Sequence, residues 1–462
     1  MQEGLHKIVP VEDTIAAIST PLGQAGLGII RMSGPEVRRI TRQFFRPLKE
    51  TRDFQHRHAI VGACVDVCGD LLDEVVVTYF QAPHSYTGED VIEITGHGNP
   101  LVLKRLLERA CLSGARVARP GEFTLRAVAH GKMDLLQAEA VREFIEAQTE
   151  TQARTALRQM GGSLSNRIRP VKEKLVVEIA HLEAGIDFAE DDVSVPDNAS
   201  VVATIAPLRH ELSRLRESFG YGRMVSNGLR VAILGKPNVG KSSLFNRLVC
   251  VERAIVTEIP GTTRDVLTET ISIGGVPLRL ADTAGIRQTA DRIERLGVTR
   301  TFETLSEADL ALIVLDGSTD LDNDDREILQ RTTAVPHIIV INKSDLLPKM
   351  DIRVLNGARR VSVSAKTGTG LDNLHEEIRA FLLAHKTETS EDSMLTSERQ
   401  YDAIGNAVTA LGAACEGLES QVPHEMILMD LYRALESLGE LTGEVVTEDI
   451  LDKIFSTFCI GK

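Results

Sequence analysis

Residues 235–242 read Gly-Lys-Pro-Asn-Val-Gly-Lys-Ser, a glycine-bearing loop set between a strand-like run and a helix-like run. Leu229 to Leu234 precedes it and Ser243 to Leu248 follows. Glycines let backbone N–H groups close around phosphate oxygens, and the helix that follows presents its positive end. In this frame Lys241 reaches the β- and γ-phosphates, the Ser242 hydroxyl binds Mg²⁺, and Asn238, Val239, Gly240 and Ser243 complete the cradle. A chain built around such a loop must contain a mostly parallel α/β sheet.

The surrounding sequence supplies that sheet. From about 225 to 383 strand and helix patterns alternate, with strand candidates Arg230 to Leu234, Leu310 to Leu315, Ile338 to Ile341 and Val361 to Val363. Thr268 to Asp282 differs: two β runs flank Ile273-Gly274-Gly275-Val276, which predicts a hairpin with a two-glycine turn. Residues 1 to about 120 read as α+β, with β runs at Ile29-Ile30, Val75 to Tyr79 and Val91 to Thr95, and a helix from Leu101 to Ala110. Phe123 to Gly185 is helical, Asp187 to Ser200 is acidic and turn-rich, and another helix runs to about Phe219. Helices resume near Thr396, after the polar linker Lys386 to Ser393. The expected architecture is therefore multidomain: an N-terminal α+β domain (1–120), a helical domain in two parts (121–222 and 385–462), and a Ras-like α/β domain (223–384) inserted between them.

Bulk properties narrow the function class. The 462 residues are 43% hydrophobic and 26% charged, the pattern of an ordinary globular protein. A net charge of −14 argues against nucleic-acid or anionic-membrane binding through bulk charge. The cluster Arg38, Arg39, Arg42 and Arg46 reads as a solvated helix face. No apolar run approaches the roughly 18 residues that a membrane span needs. Cys64 and Cys68 form a C-x₃-C pair with no second pair to complete a zinc site, and a reducing cytoplasm is the natural compartment.

Four further motifs specify the nucleotide. Asp282-Thr283-Ala284-Gly285 ends the hairpin strand; its Asp can hold Mg²⁺ through water, and the Gly285 amide can sense a γ-phosphate. Asn342-Lys343-Ser344-Asp345 follows a strand, and the Asp345 carboxylate can accept both N–H groups of guanine, a pairing that adenine does not offer. Ser364-Ala365-Lys366 would close over guanine O6. Thr262-Thr263 supplies a switch threonine for Mg²⁺. Order and spacing match the Ras-like GTPase superfamily. The position after Gly285, often Gln to orient water, is Ile286, and no arginine finger is evident. Such a finger contributes about 10³–10⁵ in rate, or roughly 4–7 kcal/mol. A monovalent cation could replace it, held by the Asn238 side-chain carbonyl and by backbone carbonyls of Thr257 to Thr262. Simple loop hydrogen bonding is the alternative role for Asn238.

With these residues in place, the chain closely resembles the MnmE (TrmE) family of tRNA-modifying GTPases over essentially its full length. The resemblance rests on Gly261-Thr262-Thr263-Arg264-Asp265 and Glu294-Arg295-Leu296-Gly297 in the G domain. Elsewhere it rests on Gly28 to Gly34, Tyr86-Thr87-Gly88-Glu89-Asp90, Ala118 to Phe123 and the terminal Phe458-Cys459-Ile460-Gly461-Lys462. It implies a K⁺-activated GTPase whose G domains dimerise across their nucleotide faces, with Asn238, Thr257, Ile259 and Thr262 as the K⁺ site and Glu294 as the catalytic acidic residue. Read from its neighbours alone, Glu294 is one charge of a solvated face. The resemblance further implies a folate-binding, dimerising N-terminal domain in which Arg31, Glu93, Lys132 and Lys462 hold 5-formyltetrahydrofolate. The residues alone place Glu93 as an outward position of an edge strand. The tail is no prenylation box, because Gly461 is not aliphatic and no polybasic run precedes it. The resemblance puts Cys459 near the one-carbon unit, as a candidate catalytic residue; otherwise it is a buried small hydrophobe.

The family's activity would be installation of an aminomethyl or carboxymethylaminomethyl group on C5 of the wobble uridine of certain tRNAs. It acts with the flavoprotein MnmG (GidA) in a heterotetramer or larger assembly, FAD and NADH belonging to that partner. The alternative is an RNA-binding ribosome-assembly GTPase switch, which would carry a basic appendage or a second G domain that this sequence does not display. A G domain gating a membrane transporter lacks the spanning segments.

Overall fold

The computed structural model describes residues 13–49, 53–187, 197–251, 268–281, 305, 307–355, 357, 359–387, 393–445 and 447–461. The chain divides into two compact units: residues 1–142, 159–206 and 409–462 form one, and 143–158 with 207–408 form the other.

The first unit opens with β1 (Ile15–Ile18), β2 (Ala25–Ser33), α1 (Val37–Phe44), β3 (Phe45–Pro47), β4 (Ala59–Val65), β5 (Leu71–Phe80), β6 (Val91–Gly98), α2 (Pro100–Leu112) and β7 (Arg116–Val117). The strands make one seven-stranded sheet in the order β3-β4-β5-β6-β2-β1-β7. Only β1 and β7 run parallel; the other pairs are antiparallel. Asn99 caps α2 by accepting a hydrogen bond from the Leu101 N–H, and Pro100 occupies the first turn, where no N–H is required. Ile30, Met32, Ile92 and Ile94 project from adjacent strands into a core closed by Ile40, Phe44, Leu103 and Leu106. Each such side chain contributes about 1.5–3 kcal/mol on burial. The antiparallel register sets Arg31 directly opposite Glu93. Because β6 lies between β5 and β2, Glu93 belongs to an interior strand, which corrects the edge-strand reading.

Helices follow: α3 (Glu122–Ala129), α4 (Leu135–Glu146), α5 (Glu150–Met160), α6 (Ser163–Asp187), α7 (Asn198–Glu217) and α8 (Phe219–Asn227).

The second unit holds β8 (Leu229–Leu234), α9 (Lys241–Val251), β9 (Thr268–Ile273), β10 (Val276–Ala281), β11 (Leu310–Asp316), α10 (Asn323–Arg331), β12 (His337–Asn342), β13 (Arg360–Ser362) and α11 (Leu371–Ala384). Its sheet runs β13-β12-β11-β8-β10-β9, parallel except for the β9–β10 hairpin. Gly274 and Gly275 turn that hairpin with φ of 61° and 83°, a conformation that favours glycine. Strand β11 is apolar and buried from Leu310 to Leu315, as expected for a parallel strand covered on both faces. This α/β sheet lies in the sequence between the helices above and the closing helices α12 (Glu398–Glu419), α13 (His424–Thr442) and α14 (Glu448–Phe455). Among the described residues, no helix is long and apolar enough to cross a membrane.

Candidate functional site

In an open parallel sheet, ligands bind beyond the carboxyl ends of the strands. Here the loops after β8, β12 and β13 meet at that edge. Gly235 has φ 147°, and a Cβ there would lie 2.4 Å from the Val314 carbonyl oxygen. Gly240 has φ 99°, and its Cβ would lie 2.2 Å from Asn342 Nδ2. Both positions therefore need glycine. Lys241 begins α9, and its ammonium donates to the carbonyls of Gly235 and Lys236, each at 2.7 Å. Those bonds curl the side chain over the loop, next to the helix N-terminus where Ser242 and Ser243 sit. Asn238 takes φ 64° at the exposed crown of the loop.

The guanine motifs are joined through Asn342, which is 2% exposed. Its Nδ2 donates to the Val239 carbonyl at 2.8 Å, and its Oδ1 accepts from the Ala365 N–H at 2.9 Å. One amide thus holds the phosphate loop to the Ser364-Ala365-Lys366 loop, a role that no local sequence signal reveals. Buried Ser364 donates to Asp345 Oδ1 at 2.6 Å. That bond, aided by the Lys366 and Lys343 charges, holds the Asp345 carboxyl below its usual range, so it is an acceptor at neutral pH. Lys343 donates to Asp316 Oδ2 at 2.6 Å, and Arg247 donates to the Lys366 carbonyl at 2.8 Å. Thr257, Ile259, Thr262, Thr263, Asp282, Gly285 and Glu294 lie outside the described residues.

A second constellation forms in the first unit. Arg31 bonds Glu93 Oε1 through Nε at 2.9 Å and through its terminal nitrogen at 2.8 Å. Its guanidinium lies 5.5 Å from the Tyr86 ring centroid and 5.8 Å from that of Phe123. The C-terminal tail closes on it: the Gly461 carbonyl accepts from Arg31 at 3.3 Å and from the Ser19 hydroxyl at 3.1 Å. Gly461 has φ 99°, and a Cβ there would meet the Ile18 carbonyl at 2.5 Å, so the tail packs tightly on the end of β1. Lys132 is separate from the ion pair and donates to the Pro83 carbonyl at 3.0 Å. Cys459 is exposed, contrary to the buried-hydrophobe alternative, and Lys462 lies outside the described residues. No local pattern in the sequence announces the Tyr86–Phe123 floor under Arg31. Both residues lie in the segments Tyr86 to Asp90 and Ala118 to Phe123 that carry the family resemblance.

Comparison with known proteins gives the family of the chain. The model described as "GTP-binding protein TrmE N-terminus" matches residues 14–132, and that of the "MnmE helical domain" matches residues 135–459. The tRNA modification GTPase MnmE of Koribacter versatilis is 47% identical over 456 residues, covering 98% of this chain and 100% of its own. The chain belongs to the MnmE family of tRNA modification GTPases. The MnmE of Aquifex aeolicus is 44% identical over 453 residues, again covering 98% of this chain and 100% of its own. Membership makes the α/β unit a GTP-hydrolysing G domain, with GTP and GDP as ligands and Mg²⁺ as the expected companion of the phosphates. Ser242, in the first turn of α9, offers a hydroxyl oxygen, the kind of ligand that Mg²⁺ takes.

Proposed function

We propose that this chain hydrolyses GTP in a K⁺-dependent cycle and, with the flavoprotein MnmG (GidA), modifies C5 of the wobble uridine of certain tRNAs. The group added is aminomethyl or carboxymethylaminomethyl, and tetrahydrofolate, when bound, supplies its one-carbon unit. The working state is a homodimer joined to MnmG, which contributes FAD and NADH, and the setting is the cytoplasm. The observation that carries the reading is the Arg31–Glu93 pair over Tyr86 and Phe123, enclosed by the Gly461 tail. A carboxylate beside aromatic faces suits a pterin, whose N–H donors Glu93 would accept. Arg31 would hold the Glu93 carboxylate in place beside the ligand, and Lys132 and Lys462 would offer cationic donors to the carboxylates of its glutamate tail. Cys459, in the same C-terminal segment as Gly461, would meet the one-carbon unit.

In the G domain, Ser242 and Thr263 would ligate Mg²⁺, and Asp282 would hold it through water. Asn238, with backbone oxygens of Thr257, Ile259 and Thr262, would hold K⁺, and Glu294 would orient the attacking water. The cation would occupy the place of an arginine finger.

The folate reading is tested on the full chain with 5-formyltetrahydrofolate, using calorimetry. Arg31→Ala and Glu93→Ala are each expected to weaken binding at least tenfold and to abolish uridine modification in the presence of MnmG. GTP turnover in KCl should persist in both. Unchanged folate affinity in both variants would remove the assignment. The cation reading is tested by GTP turnover in KCl against NaCl. Asn238→Ala is expected to erase the preference for K⁺, and full K⁺ stimulation in that variant would refute the ligand role.

A further inference from the structure

Lys236 lies inside the phosphate loop, yet neither the phosphate chemistry nor the guanine chemistry uses its side chain. Its ammonium is 2.5 Å from Asp322 Oδ2 and 2.8 Å from Asp325 Oδ2. These two aspartates already form the capping box of α10. Asp322 Oδ1 accepts from the Asp325 N–H at 3.1 Å, and Asp325 Oδ2 accepts from the Asp322 N–H at 3.3 Å. Reciprocal backbone bonds fix both carboxylates before the lysine arrives. The Asp325 side chain is 3% exposed, and its Oδ1 has no hydrogen-bond partner among the described residues. A buried carboxylate so placed depends on its cation. Burial opposes the charge on Lys236, but the bonds from Asp322 and Asp325 outweigh it and raise its pKa.

The same chain segment also grips the guanine loop. Asp316 takes Lys343 at 2.6 Å, the Gly317 N–H donates to the Asn342 carbonyl at 2.9 Å, and the Lys349 N–H donates to the Gly317 carbonyl at 3.0 Å. Residues 316–325 therefore run from the base-reading loop to the phosphate loop and are bonded to both. At the phosphate end, the Lys236 backbone carbonyl is one of the two oxygens that hold the Lys241 ammonium.

We infer that residues 316–325 act as a brace between the two halves of the nucleotide site, with Lys236 the positioning residue that locks the phosphate loop to it. The loop contains Gly235 and Gly240, so an unbraced loop would sample many conformations and pay ordering entropy whenever nucleotide binds. Bracing removes that cost in the free protein. The effect belongs to binding of any nucleotide that carries the phosphates, not to the hydrolytic step. The inference rests only on nucleotide binding at this loop and is independent of the folate, K⁺ and tRNA readings.

The test uses the full chain with fluorescent GDP and GTP analogues, together with steady-state turnover. Lys236→Met keeps the apolar stem and removes the charge. It is expected to weaken both nucleotides about tenfold, the scale of one charge-assisted hydrogen bond, with KM rising in step and kcat staying within twofold. Lys236→Arg should recover affinity to within threefold. Adding Asp325→Asn to Lys236→Met should cost less than a further twofold, since both changes break one interaction. Unchanged affinity in Lys236→Met would overturn the inference, as would a fall in kcat at constant affinity. Independent, multiplying losses in the double variant would overturn it too. Should Asp325→Asn fail to fold, the Met and Arg variants at 236 decide the matter by themselves.

Discussion

Arg126→Met is expected to destabilise the first unit by about 3–5 kcal/mol, the cost of leaving buried charges without their partner. The Arg126 side chain is fully buried. One terminal nitrogen donates to the Asp13 carbonyl at 3.0 Å and to both Glu89 oxygens, at 3.0 and 3.2 Å. The other donates to the Asp13 carboxylate and to Glu122 Oε1 at 3.1 Å. Glu89 and Glu122 are themselves buried, at 8% and 4% exposure. Arg116 also serves Glu122 and Asp13, whereas Glu89 pairs with Arg126. Methionine fills much of the guanidinium volume, so the loss is electrostatic rather than a cavity. Urea unfolding, resolved by hydrogen exchange at the amides of β1 and α3, measures it. A loss below about 1 kcal/mol, the level of an exposed surface pair, would show that these charges are effectively solvated.

The same cluster sets a response to acid. Burial alone would raise the Asp13 and Glu122 carboxyls, but bonds from Arg116 and Arg126 outweigh it and hold both below their ordinary values of 3.8 and 4.5. A folded-state pKa below the unfolded one adds stability that is fully present above the unfolded value and is lost as pH falls through the folded value. The contribution is thus constant through neutral pH and fades as pH falls below about 4 toward the lowered folded-state values.

The G domain was more legible from sequence than the Arg31–Glu93 constellation, for a physical reason. Phosphate loop, Asp345 and Ser364 occupy strand ends, and a parallel sheet brings strand ends to one edge whatever lies between them. The hairpin at Gly274-Gly275 was equally local, because its turn chemistry sits in two adjacent residues. Glu93 was not local. Its place beside Arg31 follows from a register between strands 62 residues apart, and its interior position follows from the order β5-β6-β2, neither of which alternation of residue types reveals. Arg126 was missed for the same reason: an arginine within an α3 pattern looks like a surface residue until Asp13 and Glu89 arrive from other elements. Asn342 stood in a recognised motif, yet its bridge spans 103 residues to the Val239 carbonyl.

Asp345→Asn is expected to weaken GTP at least about 100-fold, roughly 2.7 kcal/mol, and to make XTP the tighter ligand. In the proposed site, guanine would present N1–H and the exocyclic N2 amine, both donors, to this position. The Asp345 carboxylate is acceptor-only when ionised, and it is kept ionised by the Ser364 hydroxyl, helped by the Lys366 and Lys343 charges. Ser364 uses one lone-pair direction of Oδ1 at 2.6 Å, which leaves Oδ2 and the rest of Oδ1 for the base. An asparagine turns one oxygen into an NH₂ group. Against guanine N2 that sets donor against donor and buries both unpaired. Xanthine carries an oxygen at the same carbon, so the asparagine amide donates to it while its carbonyl still accepts from N1–H. The swap therefore inverts the pattern without emptying the site, and the proposed phosphate contacts at Lys241 and Ser242 would be untouched. Competition of GTP and XTP for a bound fluorescent GDP analogue reads both affinities in one titration. A GTP loss below fivefold with no gain for XTP would mean that the base is read elsewhere than at Asp345.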